Sequence, residues 1–316
     1  MIDSNQCKVP VLLVTFNRPE CTAKVISKIK EIKPEKLFIF SDGPRYNKEG
    51  EKELVYKCRT LLDSRIFDWN CEVYTKFSDI NLGCGKGVSS AISWAFERVD
   101  RLIILEDDCV PDLSFFEFCS KMLSKYEHDE RVMHVSGTRW NEEFKVSQTN
   151  YFFSIIGHVW GWATWRRAWK QYNYKMQDWN KVQTQKKLLQ LFEHRIHAQY
   201  WLDNFERIYN SNDTVYGSTW DYQWQYTLFK NNGLAIVPST NLITNVGTLG
   251  AHAQDKKRSE QNNAFHRKTD SWIESLEVES REVSSCVKFD SYHMKSHFMK
   301  NTPYLRRLKM FIKSYQ

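Results

Sequence analysis

Residues 101–111 read RLIILEDDCVP. Four apolar residues, Leu102 to Leu105, run directly into three acids, Glu106, Asp107 and Asp108. A short unbroken apolar run bounded by polar residues predicts a strand buried on both faces, the kind found in parallel sheets. The acids then lie at its carboxyl end, where open α/β sheets hold their ligands. Three adjacent carboxylates repel one another unless a cation sits among them. Oxygen donors of this kind suit Mg²⁺ or Mn²⁺, ions held by one or two carboxylates together with substrate phosphates. The competing explanation is a helix start that favours acids, with Asp112 capping a helix over residues 113–126. It accounts for Asp112 and leaves Asp107 and Asp108 without a reason.

Upstream, the same alternation repeats. Residues 9–15 (VPVLLVT) form a second apolar run and the expected first strand. Asn17 can cap the helix that follows, with Pro19 in its first turn and Ile26, Ile29 and Ile32 on one face, ending before Pro34. Residues 37–40 make the next strand, which closes in Ser41-Asp42-Gly43-Pro44, turn chemistry at a strand end. Residues 49–62 have helical spacing, 71–75 read as a short strand, and the loop 81–87 (NLGCGKG) opens a helix over 88–99. Residues 131–135 add one more strand. Strands alternating with helices predict an α/β fold with a parallel sheet and right-handed crossovers, residues 1–140 being its nucleotide-binding half.

From Trp140 the character changes: nine of the 12 Trp lie between Trp140 and Trp224. A strand is expected over 151–156, a dense aromatic segment over 158–169 and a polar helical region over 181–209. A helix within 218–233 can be capped by Ser218 or Thr219 and closed by Gly233 at C′. A strand over 234–237 and a glycine-punctuated loop over 244–252 (TNVGTLGAH) follow. Residues 141–254 are thus the aromatic-rich second half of one domain, and 255–316 a polar linker and basic tail.

The net charge of +7 favours anionic partners such as nucleotides, phosphorylated lipids or membrane headgroups. No nucleic-acid-binding motif accompanies it, so nucleic acid is not an expected partner. The eight Cys show no CxxC pair and no zinc spacing, the pattern of reduced thiols in a cytosolic protein. The opening MIDSNQCKV has no apolar signal-peptide core and no window approaches a membrane span, which points to a cytoplasmic protein. In the tail, Leu305, Leu308 and Phe311/Ile312 align on one helical face beside Arg306, Arg307, Lys309 and Lys313. Such a helix either lies on an anionic membrane surface, making the protein peripheral on an inner membrane, or docks with its basic face solvated.

Taken in order, VTFNRPE (14–20), SDGP (41–44), NLGCGKG (81–87) and LEDDCVPDLSFFEF (105–118) resemble GT-A-type glycosyltransferases, which transfer a sugar from a nucleotide-sugar donor. The pattern is most similar to the N-acetylglucosaminyltransferase I family and to bacterial surface-polysaccharide transferases. It continues through Trp160-Gly161-Trp162, Trp220-Asp221 and the Gly-rich run from Gly247 to His252, covering about residues 9–252. The resemblance implies a GT-A (Rossmann-like) mixed, mainly parallel sheet with an aromatic-rich acceptor side. It makes Asp108 the direct ligand of Mn²⁺ or Mg²⁺, with Glu106 and Asp107 supporting metal and donor. Asp42 would contact the nucleobase, Thr15, Asn17 and Arg18 the nucleotide, and Lys86 and His252 the donor diphosphate. Asp221 would be the general base that takes the acceptor proton, and Trp162 and Trp220 would line the acceptor cleft. A UDP-sugar donor, a glycan or lipid-linked oligosaccharide acceptor and inversion at the anomeric carbon are what it implies of the reaction. The Golgi relatives carry an N-terminal membrane anchor and are lumenal. This chain departs from that pattern, so a cytoplasmic enzyme of bacterial type fits better.

Plainer explanations stand beside these. Asp221 can be a first-turn acid favoured by the helix dipole, any single Trp a core residue, and His252 an ordinary surface histidine. A sugar nucleotidyltransferase shares the layout, but would carry a Gly- and Arg/Lys-rich triphosphate loop after the first strand, where this chain has FNRPE. A carbohydrate-binding protein without turnover would use the Trp cluster, but has no need of the three acids or Asp221.

Overall fold

A computed structural model describes residues 6–146, 150–211, 219–247 and 282–315. The sheet grows from β1 (Val11–Thr15), β2 (Lys36–Ser41), β3 (Glu72–Phe77) and β4 (Arg101–Glu106), all parallel and ordered β3-β2-β1-β4. Their crossovers carry α1 (Pro19–Ile32), α2 (Glu51–Thr60) and α3 (Gly83–Phe96). In β4, Leu102 and Ile104 pack on one face of the sheet, and Ile103 and Leu105 on the other. Both faces are covered, which is why the apolar run has no polar alternation.

The sheet is mixed beyond β4. A short β5 (Cys109–Pro111) leads into α4 (Leu113–Lys125), whose Asp112 cap accepts from the Ser114 backbone N–H at 2.9 Å. Then come β6 (Val132–Ser136), β7 (Tyr151–Ser154) and β8 (Trp162–Trp165). β8 lies between β4 and β6, antiparallel to both. Helices α5 (Arg166–Trp169), α6 (Val182–Leu189), α7 (Arg195–Tyr209) and α8 (Asp221–Lys230) precede β9 (Leu234–Pro238), which pairs parallel with β6 and antiparallel with β7. The architecture is α/β, an eight-stranded, mostly parallel sheet flanked by helices. A separate ribbon pairs β5 with β10 (Ile243–Asn245), and α9 (Val287–His293) and α10 (Tyr304–Lys313) close the described chain. No helix among the described residues is long and apolar enough to cross a membrane.

Several local expectations shift. The glycine stretch is not a loop before a helix at 88: it forms the first turn of α3, which begins at Gly83. Asp42, on the far side of a strand, accepts from the backbone N–H groups of Leu82 (2.8 Å) and Gly83 (3.0 Å) and so caps this helix from a distance. Asn17 does not cap α1, because its amide donates to Glu51 at 2.9 Å. The region 181–209 is two helices rather than one. In α8, Thr219 bonds Gln223, and the N-cap position is taken by Trp220, whose side chain makes no cap. Gly233 closes α8 from C″ rather than C′: Asn232 takes the left-handed conformation (φ 52°) and the Gly233 N–H reaches Leu228 O at 2.8 Å, a Schellman ending.

Behind the sheet lies a buried imidazole. His134 stacks on Trp162 at 4.9 Å. Its Nδ1 accepts from the Trp224 indole at 3.0 Å, and its Nε2 lies 3.0 Å from both Ser136 Oγ and the His158 carbonyl. An indole only donates and a carbonyl only accepts, so the ring is held neutral with its proton on Nε2. Burial pushes its pKa down to about 3. The unfolded chain takes up a proton on this residue below about pH 6.5 while the native chain does not. Its stabilising contribution is therefore full above that pH and lost progressively as pH falls toward 3, at about 1.4 kcal/mol per pH unit. In urea melts, His134→Gln is expected to be less stable at neutral pH, with a deficit that shrinks at about that rate on acidification. A deficit constant with pH would remove His134 from the acid response.

Candidate active site

The parallel register sets Glu106 beside Val14, so the three acids emerge next to the turn that follows β1. There the Phe16 backbone N–H donates to Asp107 at 3.2 Å. The Arg18 guanidinium bridges the next two carboxylates, one nitrogen on Asp107 and the other on Asp108 at 2.6 Å. Arg18 thus relieves part of the repulsion between these two acids. Asp107 is buried and spent on these bonds, whereas Asp108 is less enclosed. For Glu106, burial and the negative charges of Asp108, Asp107 and Asp221 push the carboxyl above its ordinary range against the pull of Arg18.

The ribbon β5–β10 brings the Gly-rich segment to the same place. The Val246 N–H donates to Asp108 O at 2.8 Å, and a Cβ on Gly247 would lie 2.2 Å from Asp108 Oδ2. Only glycine permits that approach. His252 lies outside the described residues. Among the described residues no group of three or more His, Cys, Asp or Glu side chains forms a metal cage. The donor set left is Asp108 beside Glu106, the two acids of the run that keep partial exposure, both with hard oxygens. That fits a Mg²⁺-like ion which takes most of its ligands from water and phosphate, and not a site closed by protein ligands.

At the β2 end, the Asp42 carboxylate accepts from Gly43 (2.9 Å) and from the Asn81 amide (3.1 Å), besides capping α3. Arg59 braces this turn through the carbonyls of Asp42 (3.2 Å) and Ser78 (2.6 Å). Thr15 Oγ1 donates to the Phe40 carbonyl at 3.2 Å inside the sheet, so its hydroxyl joins two strands. Lys86 is exposed on the first turns of α3.

Asp221 opens α8, and its carboxylate accepts backbone N–H bonds from that first turn. Burial outweighs those bonds and raises its pKa. It lies near enough to Glu106 for its charge to be felt there. It also lines a cleft of about 240 Å³. The aromatic walls of that cleft include Trp140, Trp160, Trp201 and Phe298, with His158 and His297 beside them.

The assignment of Trp162 and Trp220 to an acceptor cleft is corrected. Trp162 is 1% and Trp220 2% exposed, and their rings stack on each other at 5.6 Å within the core. Gly161, in the left-handed conformation (φ 57°), lies where a Cβ would be 2.3 Å from Ile243, so its glycine serves close packing. The cleft's actual walls were missed for a physical reason. Trp140 sits in a segment without periodic signal, Trp201 in a region legible only as a polar helix, and His297 and Phe298 come from the C-terminal part, which no motif reaches.

No family model matches the chain, and no curated protein does. Among solved structures, the inositol-1-phosphate CTP transferase from T. maritima is similar over 83% of this chain and 97% of its own. The identity is 8% and the TM-score 0.38, a likeness too slight to carry an argument.

Proposed function

We propose that the chain is a glycosyltransferase that moves a sugar from a nucleoside diphosphate sugar to a hydroxyl of a glycan or lipid-linked acceptor. One observation carries the reading: Asp221, remote in sequence, stands within electrostatic reach of the β4 acids and lines an aromatic cleft. Its role there is to accept the acceptor's proton as the acceptor oxygen bonds the anomeric carbon and the diphosphate leaves. A carboxylate whose pKa is raised by burial is a better base for that step. Trp160 and Phe298, half-buried on the cleft wall, offer apolar ring faces to a sugar. Arg18 and Asp108 face the donor diphosphate, Arg18 as a fixed positive charge. A Mn²⁺ or Mg²⁺ ion held by Asp108 would supply Lewis-acid neutralisation of the leaving group.

The alternative is a sugar nucleotidyltransferase. Against it, the turn after β1 has no glycine, and its Phe16 N–H is bound to Asp107. The test offers the protein a panel of nucleotide sugars with Mn²⁺, and separately nucleoside triphosphates with sugar 1-phosphates. Release of nucleoside diphosphate from one nucleotide sugar is expected. Release of pyrophosphate from the second set would replace this reading with the alternative, and turnover of neither would leave a binding protein.

A further inference from the structure

α10 is attached to the body by the wrong side. At 3.6 residues per turn, Leu305, Leu308, Phe311, Ile312 and Tyr315 share one face of it, and Met310 and Lys313 lie on the other. The second face is the docked one. Met310 is buried in the cluster to which α7 contributes, and Lys313 pairs with Asp203 (2.8 Å) and Glu206 (3.3 Å) on α7. The apolar face points outward: Tyr304, Leu305, Leu308, Phe311, Ile312 and Tyr315 are 43–77% exposed. A terminal helix that only completes the core turns its apolar stripe inward. A contiguous apolar stripe held outward marks a surface that something covers.

The charges say what covers it. Arg307 and Lys309 border the stripe on its two sides, and residues 300–316 hold five Lys or Arg and no acid. Tyrosines stand at both ends, and basic side chains of this length can extend past an apolar stripe to reach headgroups. A second copy packed symmetrically on this face would set cation against cation, since a two-fold interface repeats the same patch. We propose that α10 seats the protein on an anionic lipid bilayer, its outer face lying among the headgroups. This does not rest on the glycosyltransferase reading.

The experiment is flotation of the full chain with vesicles of phosphatidylcholine alone or mixed with phosphatidylglycerol. The wild type should float with the mixed vesicles, much less with phosphatidylcholine, and be released by salt. Leu308→Asn with Phe311→Asn should lower the bound fraction ~10-fold or more, with an unchanged melting curve because both residues face solvent. Arg307→Gln with Lys309→Gln should abolish the preference for phosphatidylglycerol, which keeps the test open should the first variant fold poorly. Equal flotation by wild type and variants, or none by the wild type, overturns the proposal. So does a wild-type dimer that the apolar variant dissociates, which would assign the face to a second copy.

Discussion

Asp221→Asn is expected to lower the transfer rate by ~10²–10⁴, the usual range for loss of a general base, while donor affinity stays within a few fold. The substitution keeps the shape and the first-turn hydrogen bonding, because the amide oxygen can still accept backbone N–H groups. What is lost is the carboxylate that burial makes more basic. The donor side, where Arg18 meets Asp107 and Asp108, is untouched. Were Asp221 only a helix-start acid, the variant would lose roughly 0.3–1 kcal/mol of stability and little turnover. Rate, donor affinity and melting curve are measured on one preparation. Retention of more than about a tenth of the wild-type rate removes Asp221 from the base role.

The second large effect separates two neighbouring acids. Asp108→Ala is expected to abolish Mn²⁺-dependent binding of a nucleoside diphosphate in calorimetry and to leave the fold intact, since Asp107 still holds Arg18. Asp107→Ala should act the other way. It strips a buried carboxylate from both Arg18 and the Phe16 N–H, and removal of one partner from such a pair costs on the order of 2–3 kcal/mol of stability. Unchanged diphosphate affinity in the Asp108 variant would end its assignment to the metal. Equal stability losses in the two would show that both acids are structural.

The sequence made β1, β2 and β4 legible because strands covered on both faces need apolar residues at every position. The three acids were legible because nothing about a buried strand explains them. Asp221 came from a resemblance, and its placement near Glu106 is a tertiary fact that spacing does not encode. The start of α3 was misplaced because three glycines argue locally against a helix. The cap that offsets them, Asp42, sits some forty residues away, at the end of another strand. Trp162 was misread because an aromatic ring looks the same in sequence whether it meets a sugar or, as here, His134 and three other tryptophan rings.

The position of β8 has a consequence for how the chain can be made. β4 is the site-bearing strand, and its free edge is covered by residues 162–165, which are synthesised well after it. A nascent chain that has emerged only as far as residue 140 presents β4 with a bare row of N–H and C=O groups, an invitation to pair with any neighbour. The first half is therefore not a separable module. A cut between the halves would leave a remnant whose β4 edge is open to pairing with other chains.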